Sequence, residues 1–443
     1  MNNPTVFPGS RPLVGALPLL QENPLRVMER AVLEHGPVTR LPLPGADGYV
    51  LGSPMLAQHV LVTNVKNYVK QTRAYEMLRM VLGNGLVTSE GDFWKRQRRI
   101  AQPAFHRERL AGFGLVMTRA ANEMVGRWEL GVPFDFATEM MRCTLRVVGE
   151  TLLSADVMSQ ADHVGAALTD ALEHLIHRTL HPLSAPDWVP TGRNRRFHRA
   201  LETLDGVVLG LIAERRKGQG PTGDLLAMLM ESKDPETGEG MTDAQLRDEA
   251  MTIFLAGHET TANNLAWTMM LVGQAPEVER RLLAEASEVL GTGTPSMESV
   301  HRLPYGTNVI KESLRLYPPV WSLGRRVVEE EVVDGWRFPK DALLFVSPWA
   351  IHRLPEFWPE PLKFNPDRWN VEDPRRQHGS YLPFSMGQRK CIGDSFAMME
   401  AQLIFTTVLQ RVHLELVPGQ DFEPEPVITL RPSHGVKVVA TRR

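Results

Sequence analysis

The chain has two cysteines among 443 residues, almost no net charge, and no unbroken apolar run of the roughly eighteen residues that a membrane-spanning helix needs. Two cysteines cannot make a disulfide framework, so Cys143 and Cys391 point to a reducing compartment and a cytoplasmic location. Cys143 stands in MRCTLRVVGE, a helix-like context where a buried, inert thiol is expected. A formal charge of -3, from 49 Lys and Arg against 52 Asp and Glu, gives no general pull towards nucleic acid, so any electrostatic docking must come from a local patch. The N-terminal MNNPTVFPGSRPLVGALPLLQENP has no basic n-region and is broken by Pro and Gly, which predicts neither a signal peptide nor an anchor. Its Pro-rich stretch could still touch a membrane or a lipid-like substrate.

With 43% hydrophobic residues the chain can bury a large core. There is no repeat, low-complexity tract or interdomain linker, so residues 1–443 are read as a single domain without a fused reductase or ferredoxin. Short β-type runs such as VTRLPL and GYVLG predict a small sheet before Val62. From there to about Ser313 the pattern is helical, with KGQGPTGD and SKDPETGEGM as connections. Alternation returns from Arg325 to Ser347, and EPEPVITLRPSHGVKVVA reads as one more hairpin. The fold class is mainly α with minor β sheets.

Thr242 and Gln245 form a capping box ahead of a thirty-residue, nearly all-round apolar helix ending before Pro276, which should cross the core. At its middle stand Ala256, Gly257, His258, Glu259, Thr260 and Thr261, a polar break where local and global preferences conflict. His258 and Glu259 superficially match a zinc-protease HExxH, but position 262 is Ala, so that reading fails. Cys391, the other outlier, lies between Gly387 and Gly393 and beside Arg389 and Lys390, just before an apolar helix from Asp394 to Val412. Glycines allow close backbone approach to a flat ligand, and the cations and helix dipole favour a thiolate. A shielded thiolate serves as nucleophile, zinc ligand or haem ligand. No second cysteine lies near for zinc and no local histidine is indicated for a nucleophile, whereas haem needs one sulfur and cations for its propionates.

The stretch Phe384-x-x-Gly387-x-Arg389-x-Cys391-x-Gly393 resembles the haem loop of the cytochrome P450 monooxygenases. In the family's order, Glu312-x-x-Arg315 resembles its structural pair, Arg368 in FNPDRW the third member of that triad, and Ala256-Gly257-x-Glu259-Thr260 its oxygen-binding groove. The resemblance covers essentially the whole chain and implies a triangular helical body with a long central helix. It implies haem b (iron protoporphyrin IX) ligated by Cys391, with Trp94, Arg98, Arg326 (Arg325 competing) and Arg389 at the propionates. Gly257 would leave room for O2, and Glu259 would feed protons to Thr260. The pocket would be lined by the loop Tyr75 to Val87, by Phe254 and Ala256, by Val320, Trp321 and Leu323, and by Ile428. Trp321 either narrows that pocket or packs.

The activity implied by the resemblance is insertion of one atom of O2 into a lipophilic molecule: a fatty acid, terpenoid, steroid or macrolide-like compound. Electrons would come from NAD(P)H through ferredoxin reductase and an acidic ferredoxin or flavodoxin-type donor, docking on a solvated basic face at Lys95, Arg96, Arg99 and Lys390. A monomer without nucleic acid or membrane span is expected. The alternatives are an H2O2-driven peroxygenase, which would not need Glu259 and Thr260, and a haem-thiolate sensor without turnover.

Overall fold

The long helix begins where the capping box predicts. In the computed structural model, which describes residues 2–153, 161–181, 183–218 and 223–443, helix Asp243–Gly273 starts with Gln245 N–H donating to Thr242 Oγ1 at 3.3 Å. Thr242 N–H donates in return to Gln245 Oε1 at 2.8 Å. Its 31 residues rise about 46 Å. Between Glu249 and Val272 only Ala256, Gly257 and Thr260 escape burial. The polar break is therefore also the one place where the surrounding core opens.

Three helices pack round this axis: Phe136–Val148, Pro304–Leu316 and Asp394–Arg411. Thr144 donates its hydroxyl to the His258 carbonyl at 2.9 Å. Trp267, fully buried, lies flat on Tyr317 with ring centroids 4.1 Å apart and donates its indole N–H to the Leu430 carbonyl at 3.0 Å. An aromatic of that size excludes much of its area from water, and its N–H is satisfied, so the helix is fixed in rotation as well as position. Cys143 is buried here, and burial pushes its thiol far up, as an inert core cysteine requires.

The sheets are small. Strands Val38–Leu43 and Ala46–Leu51 pair antiparallel, as expected for the N-terminal region, but the sheet is completed from far along the chain. Leu343–Val346 runs parallel to Ala46–Leu51, and Leu323–Val327 joins it antiparallel, with Leu323 opposite Val346. The C-terminal region differs from the single hairpin expected. Pro424–Pro426 pairs with Leu430–Pro432, while Lys437–Arg442 turns away to pair with strand Val412–Leu416. Pro432 and Gly435 separate the two pairings, and Val412 starts a strand where a helix end was expected. Among the described residues no helix is long and apolar enough to cross a membrane.

Candidate functional site

The cysteine loop closes on itself: the Cys391 N–H donates to the Phe384 carbonyl at 3.0 Å, around the short helical turn Gly387–Arg389. Gly387 has φ +71°, and a Cβ there would stand 2.5 Å from the Leu61 carbonyl oxygen. Its glycine is demanded by protein backbone rather than by a flat ligand. The Gly393 N–H bonds the sulfur, at the start of helix Asp394–Arg411. Burial nevertheless pushes the Cys391 thiol up, and Gly393, Arg98 and Lys390 offset this only in part. A bound metal would add the further positive charge that favours the anion.

Positive charge gathers beside the loop. Arg389 lies over the Trp94 ring at 4.1 Å and donates Nη2 to the Ser89 carbonyl at 2.6 Å, while its buried Nη1 has no partner. Burial lowers its pKa to about 10. Arg98, on the same helix face as Trp94, donates to the Lys390 carbonyl at 3.1 Å. On strand Leu323–Val327 the pleat turns Arg325 inward, 2% exposed, and Arg326 outward to Gln71 and Asp341. Arg325 thus replaces Arg326 as the inward cation.

Lys70 carries no warning in the sequence. Its Nζ donates to the Val87 carbonyl at 2.9 Å and stands 5.2 Å from the centre of the Tyr75 ring, which places Tyr75 with the cations instead of in open pocket. Burial, then Arg389 and Arg325, hold the Lys70 pKa well below its ordinary value. A lone lysine in YVKQ gives no local signal for this. Four cations gather here: Glu90 acts on Lys70 and Arg389, Cys391 on Lys70 and Arg98, with Asp394 also beside Arg98, and Arg325 adds like charge to Lys70 and Arg389. Buried charge of one sign is costly without counter-charge. These residues fit a flat group that brings one metal to the sulfur and two carboxylates to the cations, which is haem.

Opposite stands the exposed Ala256 of the central helix. A Cβ on Gly257 would meet Val148 Cγ2 at 3.1 Å, so its missing side chain eases packing against helix Phe136–Val148. Room beside the void comes from the small Ala256. Thr260 donates its hydroxyl to the Ala256 carbonyl at 2.7 Å. Glu259 turns from Thr260 towards Thr429 and Arg431; burial raises its pKa, with these two neighbours opposing. Arg431 in turn pairs with Glu425 at 2.7 Å, leading to the surface. Phe254 stacks on His258, 2% exposed, on the side of the helix opposite Ala256, so it does not line the void. Ile253, three residues before Ala256, is on the correct side. His258 is lowered to about 4 by burial and stays neutral, and the described residues contain no cluster fit for a bare metal ion.

Of the remaining pocket residues, Val87 and Ile428 pack on one core cluster, and Val320, Trp321 and Leu323 belong to another. The Trp321 N–H is held by the Val427 carbonyl at 3.1 Å, a packing role. Glu312 accepts from Arg315 at 2.8 and 3.0 Å and from Arg368 at 2.8 Å, joined by the Trp369 indole at 3.1 Å, a fourth member that the triad motif does not include.

The solvated basic face is also corrected. Arg99 pairs with Asp234 at 3.0 Å and Glu236 at 2.6 Å, Arg96 with Glu239 at 3.4 Å, Lys95 with Asp92 at 2.7 Å, and Lys390 with Asp394. A surface cleft of 380 Å³ between Arg26, Glu29, Arg30 and Trp349 shares no residue with the Cys391 centre.

The sequence profile of the family Cytochrome P450 matches residues 4–438. The chain is 37% identical over 429 residues to cyclooctatin synthase of Streptomyces melanosporofaciens, covering 96% of this chain and 93% of that one. It is 36% identical to cyclooctat-9-en-7-ol 5-monooxygenase of the same organism, covering 93% and 90%. Against pentalenene oxygenase of Streptomyces avermitilis the identity is 32%, covering 98% and 97%. Haem, O2, a redox partner and a lipophilic substrate come with the family. The chain belongs to the cytochrome P450 family and is a haem-thiolate monooxygenase.

Proposed function

We propose that the substrate is a terpenoid-type cyclic alkene or its alcohol, and that Cys391, the four inward cations and the Ala256–Thr260 break form the machinery that oxidises it. The observation carrying this reading is the excess of buried positive charge over Glu90 beside the sulfur of Cys391, with the one gap among the buried residues of the central helix. When bound, the haem supplies activation of O2 at its iron, with electron push from Cys391. Lys70, Arg98, Arg325 and Arg389 would hold it through charge-assisted hydrogen bonds to its propionates.

Glu259, its pKa raised by burial, faces Thr429 and Arg431 and can take up a proton from solvent along that side, and rotation of its side chain would carry the proton to Thr260. Val87, Ile253, Ala256 and Ile428 offer an apolar lining that excludes water and suits a hydrocarbon skeleton. Relatives named for pentalenene and for cyclooctat-9-en-7-ol oxidation support the substrate class. Electrons come from NAD(P)H through an acidic ferredoxin or flavodoxin-type donor, which docks beside the Cys391 loop near Arg98.

The test is spectroscopic first. Dithionite-reduced holoprotein should show a strongly red-shifted Soret band with CO, as a thiolate ligand requires. Titrating ferric protein with cyclic terpene hydrocarbons, fatty acids and steroids should displace iron-bound water with the terpenes alone. A fatty-acid response without a terpene response removes the substrate reading. Thr260→Ala should bind substrate normally and divert electrons to peroxide; unchanged coupling would remove the proton path.

A further inference from the structure

Residues 232–242 join helix Leu225–Glu231 to the central helix, and their backbone closes into a fixed turn. The Asp234 N–H donates to the Glu239 carbonyl at 2.9 Å and the Gly238 N–H to the Asp234 carbonyl at 2.8 Å, with Gly238 at φ +73°. Asp234 Oδ1 accepts the Glu236 N–H at 3.1 Å, and Thr237 Oγ1 accepts the Glu239 N–H at 3.3 Å. The turn carries three acids on six residues, Asp234, Glu236 and Glu239.

All three acids lie on helix Gly91–Ala101, the helix that also carries Trp94 and Arg98. Asp234, its side chain fully buried, meets Arg99 Nη2 at 3.0 Å and Arg96 Nε at 3.7 Å. Arg96 Nη2 also donates to the Gly240 carbonyl at 2.9 Å. Glu236 reaches Arg99 Nη1 at 2.6 Å and Glu239 reaches Arg96 Nη2 at 3.4 Å, yet their side chains are 67% and 72% exposed. A buried pair is costly to break, whereas exposed pairs are weak and screened by salt. Asp234 is therefore an anchor, and the two glutamates are exchangeable.

Charge decides what this contact does. Two guanidiniums against three carboxylates leave the flank one charge negative, on the same helix as Arg98, which reaches the Cys391 loop. Arg96 and Arg99, one helical turn apart, would by themselves attract an acidic protein, and like charge laid over them slows its approach. Asp234 already fastens the turn to both arginines, so the exposed glutamates add little to the fold.

We propose that Glu236 and Glu239 are an intramolecular stand-in for the acidic electron donor: they occupy Arg99 and Arg96 until carboxylates of the donor displace them, while Asp234 keeps the turn in place. This rests on the reading that the donor docks beside the Cys391 loop near Arg98. The exchange replaces one carboxylate by another at each guanidinium, so the turn need not refold, and donor affinity becomes the difference between two sets of ion pairs. A donor with too few carboxylates does not displace the glutamates, so the turn selects strongly acidic partners against weakly charged ones.

The test is calorimetric titration of the holoprotein with a strongly acidic plant-type ferredoxin at low and at physiological salt. Glu236→Gln with Glu239→Gln should tighten binding roughly fivefold at low salt, with a steeper loss as salt rises. Adding Arg96→Gln and Arg99→Gln should abolish that gain. Asp170→Asn with Glu202→Gln, which removes the same charge from helices Ala161–Leu180 and Gly192–Arg216, should bind like wild type. Asp234→Asn should loosen the anchor, tightening donor binding while lowering the melting temperature. Unchanged affinity without the glutamates, an equal gain in the charge-matched control, or a gain that survives loss of both arginines would overturn the proposal. The CO spectrum keeps the underlying reading separate: an intact red-shifted band with ferredoxin bound equally by wild type and the glutamine variant overturns the role of the turn alone, whereas an intact band with no ferredoxin bound by any form removes the docking face itself.

Discussion

Two buried charge clusters in this protein close in opposite ways. At Glu312 every partner is supplied by the chain: the guanidinium N–H groups of Arg315 go to Glu312 at 3.0 and 2.8 Å and to the carbonyls of His352, Pro361 and Lys363. Beside Cys391 the charges are only partly met: Arg389 reaches Glu90 at 3.6 Å while its Nη1 is unpartnered, and Lys70 donates to one carbonyl. The first arrangement is a finished piece of structure. The second is finished only by a ligand, and incompleteness of that kind marks a site.

That contrast can be broken experimentally, most severely at the closed cluster. Arg315→Met or Glu312→Gln leaves a buried charge uncompensated and should cost about 3 to 5 kcal/mol in apoprotein and holoprotein alike. Denaturant unfolding measures it, and a loss near zero would erase the distinction. Arg389→Met should behave differently in the two forms. In the apoprotein the loss should be small, since Arg389 has only the Ser89 carbonyl and a 3.6 Å ion pair with Glu90 to lose, whereas haem release should quicken by tenfold or more, for about 1.5 to 3 kcal/mol of lost charged hydrogen bonding. Equal destabilisation of both forms would make Arg389 a structural residue like Arg315.

Two buried acids without cations sharpen the contrast from the other sign. Burial raises Glu249 and Glu400 to about 8, and neither Glu400 oxygen has a hydrogen-bond partner in good geometry. A carboxyl whose folded pKa exceeds its unfolded value near 4.3 stabilises the fold below that value and loses its effect as pH rises through the folded one. Stability should therefore fall between about pH 4.3 and 8, on the order of 1 kcal/mol per pH unit per group. Glu400→Gln or Glu249→Gln should flatten the slope of melting temperature against pH. The smallest effect belongs to Arg326→Gln, within about 0.5 kcal/mol and with haem retention unchanged, because Arg326 points to the surface. Arg325→Gln should instead release haem as Arg389→Met does.

Much of the fold and the site is legible because the signals are local. The Thr242–Gln245 capping box and the nearly all-round apolar pattern behind it define the central helix within a residue. Glu312 and Arg315 are one helical turn apart, and the spacing about Cys391 lies within ten residues, so short-range geometry carries both. Where the sequence misleads, the deciding contact comes from elsewhere in the chain. Phe254 looks like a pocket residue because nothing in its neighbours says which side of an all-round apolar helix faces the void.

The sequence by itself singled out the Cys391 loop and the central helix through close spacing, a cap and an apolar pattern, and the order of its motifs carried the family resemblance that implies the chemistry. Only the tertiary structure decided which of Arg325 and Arg326 turns inward, because the pairing of Leu323–Val327 with Leu343–Val346 sets the phase of the pleat. It also brought Lys70 to Arg389 and laid Asp234 and Glu236 on Arg99, more than a hundred residues away. Such meetings depend on packing and register between distant segments, and no property of the segments taken singly contains them.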